Sequence, residues 1–263
     1  MRWAAVSAWE VLGLRAAQAS ASEVEQALLA IEAVSAACER IIERAIAPRR
    51  AAVIHTARSG RCVFRDLRTD YRWHELLSLE QVRIDRDGDG IPETVEPSVT
   101  LAGQPPYRAL GLRGGYTGPA EVTAWWGMAD EREPAGTLTA AAAADTTALS
   151  LSPGHRVRPG NTLIIGQERC YAVAVSGNSV TVLRGQRGAE ASPHPAGAPI
   201  EVERVEPAIA MACQVEAVRL LRDGISGYAS AVGPADLSLA VTGLYPAIVD
   251  LRRTYHPTGA VAV

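Results

Sequence analysis

Apolar positions recur at helical spacing near both ends of the chain and at strand spacing between them. Residues 7–14 (SAWEVLGL) read as a short amphipathic helix that turns Trp9, Val11 and Leu12 toward a partner surface. A longer helix is predicted from Glu23 to Ala47, with Val24, Leu28, Ile31, Cys38, Ile41, Ile42 and Ala45 at its apolar positions. Ser22 and Glu25 fit a capping box, and Pro48 ends the run. Near the other end, Pro207 suits the first position of a helix carrying Ile209, Met211, Ala212, Cys213, Val215, Ala217, Val218, Leu220 and Leu221, closed by Gly224. A helix apolar over so much of its circumference needs cover on more than one side. A Gly-rich stretch, 224–234, leads to a last short helix around Pro246–Thr254. The tail from Tyr255 to Val263 is expected to be flexible or docked on a partner.

Between the helical ends the pattern changes. Residues 51–65 read as a hairpin about Ser59-Gly60, and 76–84 lead into the turn Asp87-Gly88-Asp89-Gly90, which 93–101 leave. Two more strands are predicted at 107–113 and 120–126. Beyond Pro134, strand-like runs at 148–151, 161–165, 170–175, 179–183 and 199–203 form a small β-module, with Ser176-Gly177-Asn178 as a tight hairpin turn. The predicted fold class is therefore α+β. A helical core with a β-hairpin and strand segment (residues 1–134 and 204–263) is interrupted by an inserted all-β module (135–203).

Composition narrows the function classes. All 26 basic residues are arginine, and the net charge of −3 gives no general attraction to nucleic acid. Arginine is a planar, permanently charged group suited to bidentate pairing at interfaces. Cys38, Cys62, Cys170 and Cys213 are too widely spaced for a metal or disulfide framework and are read as buried thiols. Arg2 and the following apolar stretch imitate a secretion signal, but Glu10 and Arg15 interrupt it, and no uninterrupted apolar run is long enough to span a membrane.

Charge is unevenly placed. From Arg40 to Arg72 there are nine arginines against Glu43, Asp66 and Asp70, while from Glu75 to Glu96 there are seven acids against Arg83 and Arg86. Three readings stand: opposite faces by which copies of a subunit pair, two solvated faces of one molecule, or a basic channel lining.

One motif is sharp. Asp85, Asp87 and Asp89, the turn glycine Gly90, Ile91 (through its carbonyl), Glu93 (through water) and Glu96 at the twelfth position match a calcium loop, which gathers oxygen ligands around a hard cation. Against a helix–loop–helix site stand Pro92 and the strand-like flanks; the alternative is an acidic hairpin turn. No enzyme motif is found: Ser78 stands where a zinc helix beginning at His74-Glu75 would need its second histidine, and a lysine-dependent phosphate loop is impossible. Trp125 and Trp126 could stack on bases, or one could be core and the other an interface anchor.

Several stretches carry a family resemblance: WEVLGL, ACERIIERAI, YRWHELLSLEQVRIDRDGDGIPETV, PPYRALGL, EVTAWWGMADE, AMACQVEAVRLLRDG and LYPAIVDLRRTYHP. In their order the chain resembles the tailed-phage head–tail connector (adaptor, head-completion) proteins. The segment PGNTLIIGQERCYAVAVSGNSVTVLRGQRG with HPAGAPI resembles small β-units of phage structural proteins, although Ala189 replaces the usual threonine. The resemblance implies a helical connector core and a structural, non-enzymatic virion protein at the neck. It implies a homo-oligomeric ring, typically of about twelve copies as such closed rings go, that meets the portal protein on one side and a stopper or tail protein on the other. DNA would pass through its channel without sequence-specific binding. No cofactor is expected except calcium at Asp85–Glu96, and no membrane. The residues expected at the interfaces are Arg40, Arg44, Arg49, Arg50, Trp125, Trp126, Arg252, Arg253 and Tyr255. The competing expectation is a calcium-stabilised binding or adhesion module on a virion or cell surface.

Overall fold

The structure, a computed structural model, describes residues 2–64, 70–225 and 246–255. It is mostly β. Strands β1 (Arg49–Arg58), β2 (Arg61–Val63), β3 (Leu76–Ile84), β4 (Thr94–Val95), β5 (Val99–Leu101), β6 (Ala109–Leu112) and β7 (Gly118–Trp126) form a seven-stranded sheet in the order β4-β3-β7-β1-β2-β6-β5. Strands β8 (Glu131–Thr137), β9 (Ala148–Ser150), β10 (Thr162–Ile165), β11 (Glu168–Ser176), β12 (Ser179–Leu183) and β13 (Pro199–Arg204) form a six-stranded sheet in the order β8-β13-β10-β11-β12-β9. Every pairing in both is antiparallel. Helices α1 (Ala8–Leu12), α2 (Ala21–Ile42), α3 (Pro207–Ile225) and α4 (Pro246–Tyr255) complete the described elements.

This corrects the expected α+β fold with a helical connector core. The physical reason lies in β7. It pairs with β1 from Arg49↔Trp126 to Ala57↔Gly118, and on its other side with β3 from Leu76↔Trp126 to Ile84↔Ala120. Local patterning reveals strands but not which distant strand lies between two others, so it predicts a hairpin with loose strands where the chain builds a complete sheet.

The long helix is also shorter than its periodicity suggests. It ends at Ile42 because Glu43 adopts a left-handed φ of 53°. Ala45, Ile46 and Ala47 are then buried in non-helical chain leading to β1. Its capping box is Ser20 with Glu23, not Ser22 with Glu25: the Ser20 hydroxyl accepts from the Glu23 N–H at 3.3 Å, and the Glu23 carboxylate accepts from the Ser20 N–H at 2.8 Å. A second capping box, Ser7 with Glu10, starts α1. The first two residues of the expected Gly-rich linker continue α3; the rest of it, and the tail beyond Tyr255, lie outside the described residues. Among the described residues no helix is long and apolar enough to cross a membrane.

The chain divides into two compact units, residues 43–130 and residues 1–42 with 131–263. The division differs from the expected one, since the helices share a unit with the β-module while the seven-stranded sheet stands as the other. In the sheet unit, alternate residues Ala120, Val122, Ala124 and Trp126 of β7 face a core with Leu76, Val82, Ile84, Phe64 and Leu110. Phe64 meets Trp126 edge-on at 5.1 Å, and the Trp126 indole N–H donates to the Ala51 carbonyl at 3.2 Å.

In the other unit, α2 packs on α3 and α4, and α1 on α2 and α3. The two ends of the chain thus meet through Ile31, Val34 and Cys38 of α2 and Ile209, Cys213 and Ala217 of α3, all fully buried. Buried Glu216 of α3 accepts from the Ala247 N–H at 2.9 Å, placing a carboxylate at the N-terminus of α4. The Tyr171 hydroxyl of β11 donates to Glu32 of α2 at 2.8 Å and ties the module to the helix.

Candidate functional site

The sharp sequence motif folds as the turn between β3 and β4. This is the hairpin context and not a helix–loop–helix, because β3 and β4 pair as Arg83↔Val95 and Ile84↔Thr94. Asp85 is buried and acts as the hub of the loop. One of its carboxylate oxygens accepts from the Gly88 N–H at 2.7 Å, and the other from the Gly90 N–H at 2.8 Å. The Gly88 N–H is the main cause that holds the Asp85 carboxyl below its ordinary range, against burial. Gly88 and Gly90 take φ of 86° and 91°, which a side chain would strain.

Asp85, Asp87 and Asp89 converge: one oxygen from each lies within 4.8 Å of the others. Asp87 and Asp89 are exposed, as are Ile91 and Glu93. Glu96 is not brought to them. Its carboxylate accepts from Arg86 at 3.0 Å and from the Ser98 N–H at 3.0 Å. The loop therefore offers three carboxylates to a cation, and the closing glutamate of the motif is engaged elsewhere.

The residues expected at interfaces separate. Arg44 grips Glu75 with two bonds of 2.8 and 2.7 Å, and Arg50 meets Glu80 at 2.9 Å, so both are matched inside the chain. Arg49 stands beside Arg50 on β1 and is half-buried. Trp126 is wholly buried in the core, and Trp125 on the opposite side of β7 is only 6% exposed, so neither presents the open stacking surface considered from sequence. Arg40 is exposed near the end of α2. Arg252 and Arg253 are exposed on α4, while the Tyr255 hydroxyl donates to Glu206 at 3.2 Å.

Sequence reasoning missed a buried charge network in the β-module. The Glu168 side chain is wholly enclosed and accepts from Arg184 twice, from the Ser192 and Gly185 N–H groups at 3.1 Å, and from His194 at 2.8 Å. Burial raises its pKa, but these bonds outweigh it and hold the carboxyl at about 2. Arg184 also donates to the carbonyls of Ala143, Thr146 and Ser192, and so fastens the alanine tract and the 185–194 loop to the sheet. Nearby, Arg187 pairs with Glu203 at 2.7 Å, donates to Thr162, and lies over the Trp3 ring at 5.6 Å. The signal in the sequence is the pair of arginines in LRGQRG, Arg184 and Arg187, each of which finds a buried glutamate side chain.

This network is built for rigidity. The Cys170 thiol donates to Glu168 and is pushed up first by burial and then by that carboxylate. Cys62 is pushed up to about 12 by burial, and Cys213 is pushed up by its bond with Cys38 and by burial. His155 uses Nε2 to donate to the Gly177 carbonyl, leaving Nδ1 to accept from the Val157 N–H. His55 packs among Phe64 and Trp126 at 5.1 and 5.3 Å. These side chains are engaged in holding the fold, and the surroundings of Cys62, Cys170 and Cys213 disfavour the thiolate.

Comparison of the chain with family models, with curated proteins and with solved structures gives no match.

Proposed function

We propose that this chain is a structural subunit of a tailed-phage particle, a connector that forms a homo-oligomeric ring between portal and tail and carries the DNA channel onward. The reading rests on the sequence resemblance, and one structural observation supports it above the others. The helical arms from the two ends of the chain pack together, yet Met211 and Val215, one turn apart on α3, stay 67% and 53% exposed. Leu29 of α2 is 55% exposed as well. Large apolar side chains one turn apart on the outer side of a helix whose other side is buried through Ile209, Cys213 and Ala217 suit a surface that a neighbouring copy covers. The buried network of the β-module suits a part that must bear load without rearranging. Native mass spectrometry and negative-stain microscopy of the purified chain, alone and with portal protein, test this. Closed rings are expected in at least one of the two conditions; a monomer in both, with no portal binding, sinks the reading.

A second reading has its own observation, the convergence of Asp85, Asp87 and Asp89. Under it the chain is a calcium-stabilised binding or adhesion module. A monomer whose ligand binding needs calcium would favour this over the ring.

A further inference from the structure

The seven-stranded sheet carries its unmatched charges at one end. There the β1–β2 turn, the β6–β7 connection and the β3–β4 loop lie side by side. Ser59 and Gly60 form the first turn with φ of 49° and 75°, the paired positive values of a tight hairpin. It is stitched to the β6–β7 connection: the Gly60 N–H donates to the Tyr116 carbonyl at 2.8 Å, the Leu112 N–H to the Gly60 carbonyl at 2.7 Å, and the Ser59 N–H to the Thr117 hydroxyl at 3.0 Å. On its other side the same connection holds the acidic loop, because the Asp85 N–H donates to the Tyr116 hydroxyl at 3.1 Å.

This stitching gathers three arginines. Arg58 and Arg61 face each other as direct cross-strand partners, and Arg113 follows Leu112 on the strand next to Arg61. All three are exposed. Like charges placed directly opposite repel, so the Arg58–Arg61 pairing is unfavourable without an anion. Six other arginines of this unit (44, 50, 72, 83, 86 and 108) each meet a carboxylate. Among the described residues the side chains of Arg58, Arg61 and Arg113 meet none.

The carboxylates that stand open are on the same rim. Asp87, Asp89 and Glu93 are exposed and have no arginine partner among the described residues. They stand beyond β3, while the arginines stand on β1, β2 and after β6, which is two to four strand spacings away, about 10 to 19 Å. The two groups do not pair with each other among the described residues, and at physiological salt, with a screening length of about 8 Å, their attraction across that distance is largely screened.

We propose that the arginine tip of one copy receives the acidic β3–β4 loop of the next, a head-to-tail contact between opposite charges on one rim. It rests on the ring reading and names the polar part of its interface. A head-to-tail contact joins two different patches, and such contacts close into a ring when the rotation between copies divides the circle. Nucleic acid is a poorer occupant of the tip, because a duplex lying along the rim would also meet the acidic loop.

Two triple charge reversals test it, Arg58→Glu with Arg61→Glu and Arg113→Glu, and Asp87→Arg with Asp89→Arg and Glu93→Arg. Circular dichroism checks that each is folded, and native mass spectrometry at low salt reads assembly. Each variant alone is expected to lose the wild-type oligomer. An equimolar mixture is expected to regain it, because every contact in an alternating ring then joins opposite charges. Folded variants that still assemble singly, or a mixture that stays dissociated, overturn the contact while leaving a wild-type ring in place. A tip variant that assembles normally but loses retention on duplex DNA overturns it too and assigns the tip to nucleic acid. A wild-type chain that never assembles removes the ring reading itself, and this contact with it.

Discussion

The Arg184 guanidinium lies alongside the Glu168 carboxylate, with Nε 2.7 Å from one oxygen and Nη2 2.7 Å from the other. Both side chains are almost wholly enclosed. Removing one member of such a pair strands the other charge in a dry interior, at a cost of roughly 3–5 kcal/mol. Arg184→Met is therefore expected to lower stability by about 3 kcal/mol or more. Arg184→Lys, which keeps the charge but loses the two-pronged fit, should fall between. Urea unfolding at pH 7 measures both, and a loss for Arg184→Met below about 1 kcal/mol would mean that the network is not what holds the module.

The same carboxylate predicts an acid transition. Its folded pKa is depressed from 4.5 to about 2, so its contribution is fully present above the unfolded value and is lost as pH falls through the folded one. Stability on the order of 3 kcal/mol should disappear between about pH 4.5 and pH 2 from this group alone. Glu168→Gln cannot titrate there. The difference in stability between pH 5 and pH 3 should be smaller for this variant than for wild type; equal differences would refute the assignment.

Glycine positions on the sheet rim should respond differently to alanine. At Gly60 an added Cβ would sit 2.8 Å from the Leu112 carbonyl oxygen, on top of a φ of 75°. At Gly88, with φ of 86°, it would meet nothing within 4 Å. Gly88→Ala is expected to cost about 1 kcal/mol for conformation alone, and Gly60→Ala at least about twice that, because backbone must move as well. Thermal melts rank the two, and a reversed order would show that the rim is not stitched as described.

Calcium binding at Asp85, Asp87 and Asp89 is expected to be weak. Three carboxylates without the closing glutamate belong with sites in the range of about 10⁻⁴ to 10⁻³ M. Millimolar calcium should raise the melting temperature of wild type slightly and leave Asp87→Ala unmoved. Arg86→Ala, which releases Glu96, should tighten binding. A wild-type melt indifferent to calcium would dispose of the second functional reading.

Local features were largely legible in the sequence. The Ser59-Gly60 hairpin, the turn at Gly177, the strand that ends in Trp125-Trp126 and the helix opened by Pro207 follow from turn chemistry and periodicity, and each stands where those rules put it. Partnership was not legible. Nothing near Val122 indicates that it faces Val53 on one side and Val82 on the other, and that pairing turns loose strands into a sheet. The buried network was hidden for a similar reason. Arg184, Glu168 and His194 are scattered in sequence, and Glu and Arg are ordinarily surface residues until a specific partner takes them inside. The calcium pattern fixed which three aspartates converge but not that Arg86 and the Ser98 N–H would claim Glu96.

Tyr116 binds the arginine-bearing turn through its carbonyl and the acidic loop through its hydroxyl. The distance between the two charged groups is thereby a dimension of the fold and not of side-chain reach. In any array built by joining one to the other, the spacing and tilt from copy to copy would be inherited from the strands between them and from the tyrosine that fastens both ends. Exchanging it for phenylalanine would remove the hydroxyl's bonds to the acidic loop and to the Pro119 carbonyl while leaving the turn stitched, and the assembly would lose uniformity of geometry before it lost the ability to form.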